Sequence, residues 1–205
     1  MAIDSLANWI LHDEEEKGNG QDKENFGLME KMLKTRTILL SGEIDKSLAE
    51  RVIRRLLLLE DISEDPVKVF IDSPGGDADA GFAILDMMRF VKPPVITIGM
   101  GLVASAGALI LLAVPKERRL GLPNSHYLIH QPLSGMRGAA TDIEIHAKEI
   151  ERMHDRINLL ISEATGRTLK KVVQDTDRDF WMNSEEARSY GLVSRIVVNR
   201  DELEE

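Results

Sequence analysis

The sequence predicts an α/β protein built on a parallel sheet, and three observations predict it. β-Branched and aliphatic runs alternate with stretches whose apolar residues recur at helical spacing, in the order strand, helix, strand, helix. Gly or Pro punctuates the junctions, at Asp65-Pro66, Pro74-Gly75-Gly76 and Lys92-Pro93-Pro94. The length of 205 residues suits one domain with a sizeable core, or one domain plus a projecting element. Parallel strands joined through helices need right-handed crossovers, and in such sheets functional loops gather at the carboxyl ends of the strands.

Residues 1–30 differ in character from the rest. Ile3, Leu6, Trp9 and Ile10 fit one short amphipathic turn, and the stretch from Asp13 to Gly20 is an acidic, Gly-containing break. Such a composition predicts a mobile N-terminal arm over 1–30, ahead of a domain over 31–205. The first strand is expected at Thr37–Leu40, ended by Ser41-Gly42. Asp45 or Ser47 can cap a helix carrying Leu48, Val52, Leu56 and Leu59. Val67–Ile71 reads as a strand with Val67, Val69 and Ile71 on one face, and Phe70 beside Lys68 on the other, facing an exposed patch.

After Ser73-Pro74-Gly75-Gly76 a helix runs through Phe82, Leu85, Met88 and Phe90. Val95–Ile98 is a strand that feeds the small-residue stretch Gly99–Gly107 and then an apolar helical run, Ala108 to Val114. Tyr127–His130 is a further strand. A long helix over 141–164 carries the stripe Ile143, Ala147, Ile150, Met153, Ile157, Leu160 and Ala164. At 1.5 Å per residue it extends about 35 Å, more than a compact domain requires. Its surplus either projects outward or packs on another subunit. Beyond Gly166 come a short helix with Val172 and Val173, an acidic turn over Asp175–Asp179, a helix near Glu185–Ala187 and a last strand at Ile196–Val198.

Composition excludes several classes. A hydrophobic content of 43% and a charged content of 30% are those of a soluble globular protein. No apolar run reaches ~18 residues, and Met-Ala-Ile-Asp at the start lacks the basic and apolar regions of a secretory signal. The absence of cysteine excludes disulfides, thiolate catalysis and Cys-bound metals. A net charge of −9 argues against nucleic acid as a main partner. A cytoplasmic protein with neither membrane nor nucleic-acid partner is expected.

Ser105 is the candidate nucleophile, because it stands where a strand turns into a helix among residues too small to cover it. The first N–H groups of a helix lack internal acceptors and can receive an oxyanion. Without partners, Ser105 reads more readily as a small residue filling a tight helix–strand contact. Acyl transfer needs a base and an acid that orients it. His12 lies in the arm and His146 and His154 among polar neighbours on the long helix. Of His126 and His130, which share a strand face, His130 is nearer the expected loops. Asp175, Asp177 and Asp179 are all available as the acid.

Other chemistries fit poorly. A calcium loop starting at Asp175 would have Phe180 where a glycine bend is required. His126 and His130 lack a His-Glu-x-x-His frame for zinc, and Val103 occupies the first Gly position of a nucleophile elbow. No P-loop and no Gly-x-Gly-x-x-Gly occurs. Neither a metal nor a cofactor is expected, and any ATP dependence has to come from a partner.

Ile71–Gly76, Met100–Ala108, Leu122–Ser125, Ile129–Gly135, Ala140–Ile150, Asp175–Ala187 and Tyr190–Val193 together resemble the ClpP family, the proteolytic subunit of the ATP-dependent Clp protease. The likeness runs from about Thr37 to Val198, in order and with the family's spacings. It implies a ClpP/crotonase-like α/β fold of repeated strand–helix units, with a handle helix at about 141–164 that interlocks two stacked seven-membered rings. It implies Ser105 as nucleophile, His130 as base, Asp179 as orienting acid and the N–H groups of Gly76 and Ala106 as oxyanion donors. Asp177 and Arg178 match a pair that links ring contact to the triad, and Phe70 and Phe90 match positions that dock loops of a hexameric AAA+ unfoldase. The implied substrates are unfolded polypeptides, cut to short peptides inside the ring chamber.

The chain departs from the family at three places. The segment before Thr37 lacks the usual Tyr-Asp-Ile-Tyr-Ser-Arg stretch, Val114–Glu117 replaces a Gly-containing turn, and the C-terminus ends in acidic Asp201–Glu205. A divergent paralogue is expected, in homomeric rings or in rings mixed with a second subunit. Two rival readings are a scaffold subunit of a mixed ring and a crotonase-type acyl-CoA hydratase, which shares the fold without the triad.

Overall fold

The computed structural model describes residues 31–203. The arm expected over 1–30 lies outside the described residues. The elements are β1 (Thr37–Ser41), α1 (Lys46–Ile62), β2 (Val67–Ser73), α2 (Ala78–Phe90), β3 (Val95–Ala104), α3 (Ala106–Leu111), β4 (Arg119–Gly121), β5 (His126–Ile129), α4 (Ala140–Thr165), α5 (Leu169–Thr176), β6 (Phe180–Asn183), α6 (Ser184–Tyr190) and β7 (Arg195–Ile196).

β1, β2, β3, β4 and β7 lie side by side in parallel, as the alternation of strands and helices predicts. Val67, Val69 and Ile71 are fully buried on one face of β2, against a core that includes Leu56 and Leu59 of α1, Leu85 of α2 and Leu111 of α3. α1 starts at Asp45, whose carboxylate accepts the Leu48 N–H at 2.6 Å, so Asp45 rather than Ser47 is the cap. Asp77 caps α2 in the same way, through the Ala80 N–H.

β3 positions the functional loops. Its first half pairs with β4 through Thr97–Gly99, and its last half pairs with β5 through Leu102–Ala104. The switch falls at Gly101, which has φ +57 and lies so close to Asp72 that a β-carbon would meet the Asp72 carboxylate at 2.7 Å. That carboxylate instead accepts the Leu102 N–H at 3.0 Å, and β2 shifts register between Ile71 and Ser73. The small residues from Gly99 to Ala104 therefore continue the strand, which the sequence reading ends at Ile98.

Five further differences have local causes. α3 spans Ala106–Leu111 rather than 108–114, because its first turn is already formed beside Ser105. β4 and β6 are too short for a readable period, and β6 runs antiparallel to β5, so the sheet is not wholly parallel. Asp175 belongs to α5 rather than to the acidic turn. It is buried, paired with Lys171, and accepts the Tyr190 hydroxyl at 2.9 Å. The last strand is Arg195–Ile196, since Val197 and Val198 already leave the sheet. His130 stands one residue past the end of β5.

α4 is 26 residues long, and its buried residues are confined to Ile157, Asn158, Leu160 and Ile161. Ile143 and Ile145 in its first half are exposed, so the surplus length projects from the domain. Its other end is clamped by buried Arg119, which donates to Ala164 O at 2.7 Å and to Gly191 O at 3.3 Å.

Tyr127 and Tyr190 are the two tyrosines of the chain. Tyr127 fills the space left by Gly99 and Gly121, and burial pushes its phenol up to about 12, only partly offset by the nearby Ser125 hydroxyl. Burial, and then the Asp175 carboxylate to which it donates, push Tyr190 higher still. Both folded-state values lie above the ordinary value of about 10, so the stabilisation is complete below that pH and is lost as pH rises through the folded values. Tyrosinate absorbance is expected to stay absent past about pH 10 and to appear together with loss of helical circular dichroism. Ionisation of either tyrosine near that pH in folded protein contradicts this placement.

Candidate active site

The site forms where β2 ends and β3 turns into α3. Gly75 (φ +97) and Gly76 (φ +143) adopt backbone conformations closed to other residues. A β-carbon on Gly75 would lie 2.5 Å from Ser105 Cβ, and one on Gly76 would strike the Ile44 carbonyl. Ile44 brackets the turn, donating its N–H to Gly75 O and accepting the Asp77 N–H, each at 2.8 Å. In this parallel bridge the residue between those bonds turns its own N–H away from Ile44. Gly76 thus presents a free donor beside Ser105.

Ser105 itself is held at φ 54, ψ −121, outside the regions an L-residue favours. Its N–H donates to Leu128 O at 2.9 Å, and its carbonyl accepts the N–H groups of Ala108 and Leu109. The hydroxyl caps nothing, and the Ala106 N–H, first in α3, has no acceptor one turn back. The sequence lacks the glycine frame of a nucleophile elbow, yet the backbone makes an equivalent strained strand-to-helix turn.

His130 and Asp179 meet through the β5–β6 ladder. His126 pairs with Asn183 and Ile129 with Phe180, so the next positions outward are His130 and Asp179. Their Nδ1 and Oδ1 atoms lie 3.3 Å apart; the His130 side chain is 15% exposed and that of Asp179 63%. The residue types alone left Asp175, Asp177 and Asp179 open. The register selects Asp179, since Asp175 is engaged elsewhere and the Asp177 side chain reaches Arg178, at 3.9 Å.

Ser105, Ala106, Gly76 and His130 line one cavity of about 440 Å³ whose remaining walls include Leu109, Leu133, Ile157 and Ile161. Ser105 and His130 share its wall without a hydrogen bond between them. A hydroxyl, an imidazole backed by a carboxylate and two unpaired N–H groups on one apolar cavity are the parts that acyl transfer needs.

The remaining candidates lie elsewhere. Asp177 and Arg178 are strongly exposed. Phe70 is half-buried in a second recess, about 390 Å³, with Met32, Lys68, Leu122 and Leu203. Phe90, 77% exposed at the end of α2, is not a wall of that recess, so within one chain the two rings do not form a single cleft. His126 is exposed, His146 pairs with Ser134 at 2.9 Å, and His154 meets Asn158 within α4. The feature beside the site that the sequence reading missed is β6, whose trace in the sequence is the short apolar run Phe180–Met182.

Comparison with known proteins bears directly on this constellation. The family model described as Clp protease matches residues 20–200. The chain belongs to the Clp protease family. It is 59% identical over 199 residues to ATP-dependent Clp protease proteolytic subunit 2 of Treponema denticola, covering 97% of this chain and 99% of that one. It is 52% identical over 172 residues to proteolytic subunit 3 of Rhizobium meliloti, covering 84% of this chain and 88% of the relative. Among solved structures, a point mutant of ClpP1 from Listeria monocytogenes superposes with a TM-score of 0.81 at 52% identity, covering 86% of this chain and 99% of that chain. The fold is that of ClpP and the activity of the Clp protease family is proteolysis, so the chain is a protease. Among the described residues no helix is long and apolar enough to cross a membrane.

The Gly76 geometry carries a test. Gly76→Ala is expected to lower the unfolding free energy, read by urea denaturation, by more than about 1 kcal/mol and to remove most peptidase activity, since the new β-carbon displaces Ile44 and the neighbouring N–H. Wild-type activity and stability in that variant contradict the close approach.

Proposed function

We propose that the chain is a serine endopeptidase subunit in which Ser105 attacks the scissile carbonyl. His130 takes the Ser105 proton through Nε2 and later delivers it to the leaving amine. Asp179 holds His130 in the tautomer with hydrogen on Nδ1, so that Nε2 is free to act as base. The tetrahedral oxyanion sits between the N–H groups of Gly76 and Ala106, which need no reorganisation to receive it. The acyl-enzyme is then hydrolysed by water that His130 deprotonates. The observation that carries this reading is the convergence of a strained, uncovered Ser105, the His130–Asp179 pair and two free N–H groups on one cavity.

The cavity's apolar walls suit an extended, unfolded polypeptide rather than an acyl-CoA, and an intact His130–Asp179 pair is what the hydratase reading lacks. The domain over 31–205 assembles through its projecting α4 handle into two stacked rings of seven. Relatives named as subunits 2 and 3 support rings shared with a second subunit. Asp177 and Arg178 act at the contact between rings. Phe70 and Phe90, separate within one chain, serve on neighbouring subunits as docking positions for a cytoplasmic AAA+ unfoldase.

A fluorophosphonate probe should label the assembled protein and leave Ser105→Ala unlabelled, with peptidase activity falling on the order of 10⁶-fold in that variant. Unlabelled wild-type rings overturn the reading in favour of a scaffold subunit. Phe70→Ala should keep cleavage of short peptides while losing unfoldase-dependent degradation of folded substrates; equal loss of both contradicts a docking role.

A further inference from the structure

The segment that carries Asp179 has to be held against His130, and the pair itself holds it weakly. Asp179 is largely exposed, and its nearest oxygen stands 3.3 Å from His130 Nδ1. The residue next to His130 makes two shorter bonds to the same segment. The Gln131 N–H donates to Thr176 O at 2.7 Å, and the Gln131 side-chain Nε2 donates to Asp177 O, also at 2.7 Å. These carbonyls end α5, where helix geometry leaves acceptors without internal donors.

The acceptor segment is itself anchored. Thr176 is fully buried, and its hydroxyl lies 2.6 Å from the Oδ1 of Asn158, a 1% exposed residue of α4. The strand end carrying His130 is thus tied to a rigid support at Thr176, and Asp179 follows three residues later. Any residue at position 131 other than proline could make the backbone bond. The second bond needs a side-chain donor of glutamine's reach, and it grips the carbonyl nearer to Asp179.

We propose that Gln131 is a positioning residue for the protease reaction, its side-chain amide latching the Asp177–Asp179 turn so that Asp179 stays on His130 Nδ1. The proposal rests on the reading of Asp179 as the orienting acid. Gln131 touches neither substrate nor the reacting atoms, so its removal acts on kcat through Asp179 and leaves KM nearly unchanged. A misplacement of about 1 Å in such a pair is enough for a loss of 10- to 100-fold.

The test is a double-mutant cycle on the assembled protein, with a fluorogenic peptide as substrate and Gln131→Leu, Asp179→Asn and the double variant compared with wild type. Gln131→Leu is expected to lower kcat at least about tenfold with KM within about twofold, and the double variant to be no slower than Asp179→Asn. Wild-type kcat in Gln131→Leu, or a double variant slower than Asp179→Asn by the full Gln131→Leu factor, overturns the latch. Wild-type kcat in Asp179→Asn instead overturns the triad reading on which the latch rests, and so separates the two failures. If Gln131→Leu does not assemble, Gln131→Glu takes its place, with the same length and no donor at neutral pH. Loss of assembly in both variants assigns Gln131 to the fold and ends the proposal.

Discussion

The contact between Gly75 and Ser105 is the constraint on which the site depends. Where β2 ends, the absence of a side chain at Gly75 lets its backbone reach the β-carbon of Ser105, and that approach leaves Ser105 the strained turn it occupies. A non-glycine residue in such a conformation costs on the order of 1–3 kcal/mol, and it persists only where the surroundings over-determine it. Here the Leu128 carbonyl fixes its N–H, the first turn of α3 fixes its carbonyl, and the residues of α3 are all buried. The same turn frees the Gly76 N–H. A single close approach thus sets the hydroxyl and one oxyanion donor together.

The other half of the site hangs on the sheet rather than on a turn. On the side away from β2, β3 serves two neighbours, β4 with its first half and β5 with its second, because Gly101 and the Asp72 carboxylate bend it in between. The bend carries β5 to the Ser105 side of the molecule, and β6 then pairs antiparallel with β5. His130 and Asp179 are brought face to face by that ladder, although the intervening chain includes the α4 projection and α5. Ile143 and Ile145 on that projection, and Leu133 on the loop before it, are exposed.

Most of the architecture was legible because its signals are local. Val67, Val69 and Ile71 alternate, Leu48, Val52, Leu56 and Leu59 recur at helical spacing, and both periods follow from backbone geometry alone. Ser105 and the Gly75-Gly76 pair were legible for the same reason, since glycines and small residues at a strand end mark a tight turn that larger residues cannot adopt. The path of β3 past Ile98 was not legible, because nothing local tells Gly99 to continue the strand or Gly101 to bend it at φ +57; the Asp72 carboxylate and the partner strands decide both. β4 and β6, three and four residues long, are strands only by virtue of their partners.

The sequence by itself determined the longer elements and their order, the strand-to-helix turn at Ser105 and a strand that leads to His130. It carried three aspartates within five residues, and no local property distinguishes one of them as a partner for His130. The family resemblance pointed to Asp179; physically, the selection belongs to the tertiary structure. Asp175 is spent on Lys171 and Tyr190 in the core, Asp177 ends α5, and the register of β5 on β6 sets Asp179 opposite His130. Periodicity is written in neighbours along the chain, whereas register across a ladder is written in residues dozens of positions apart.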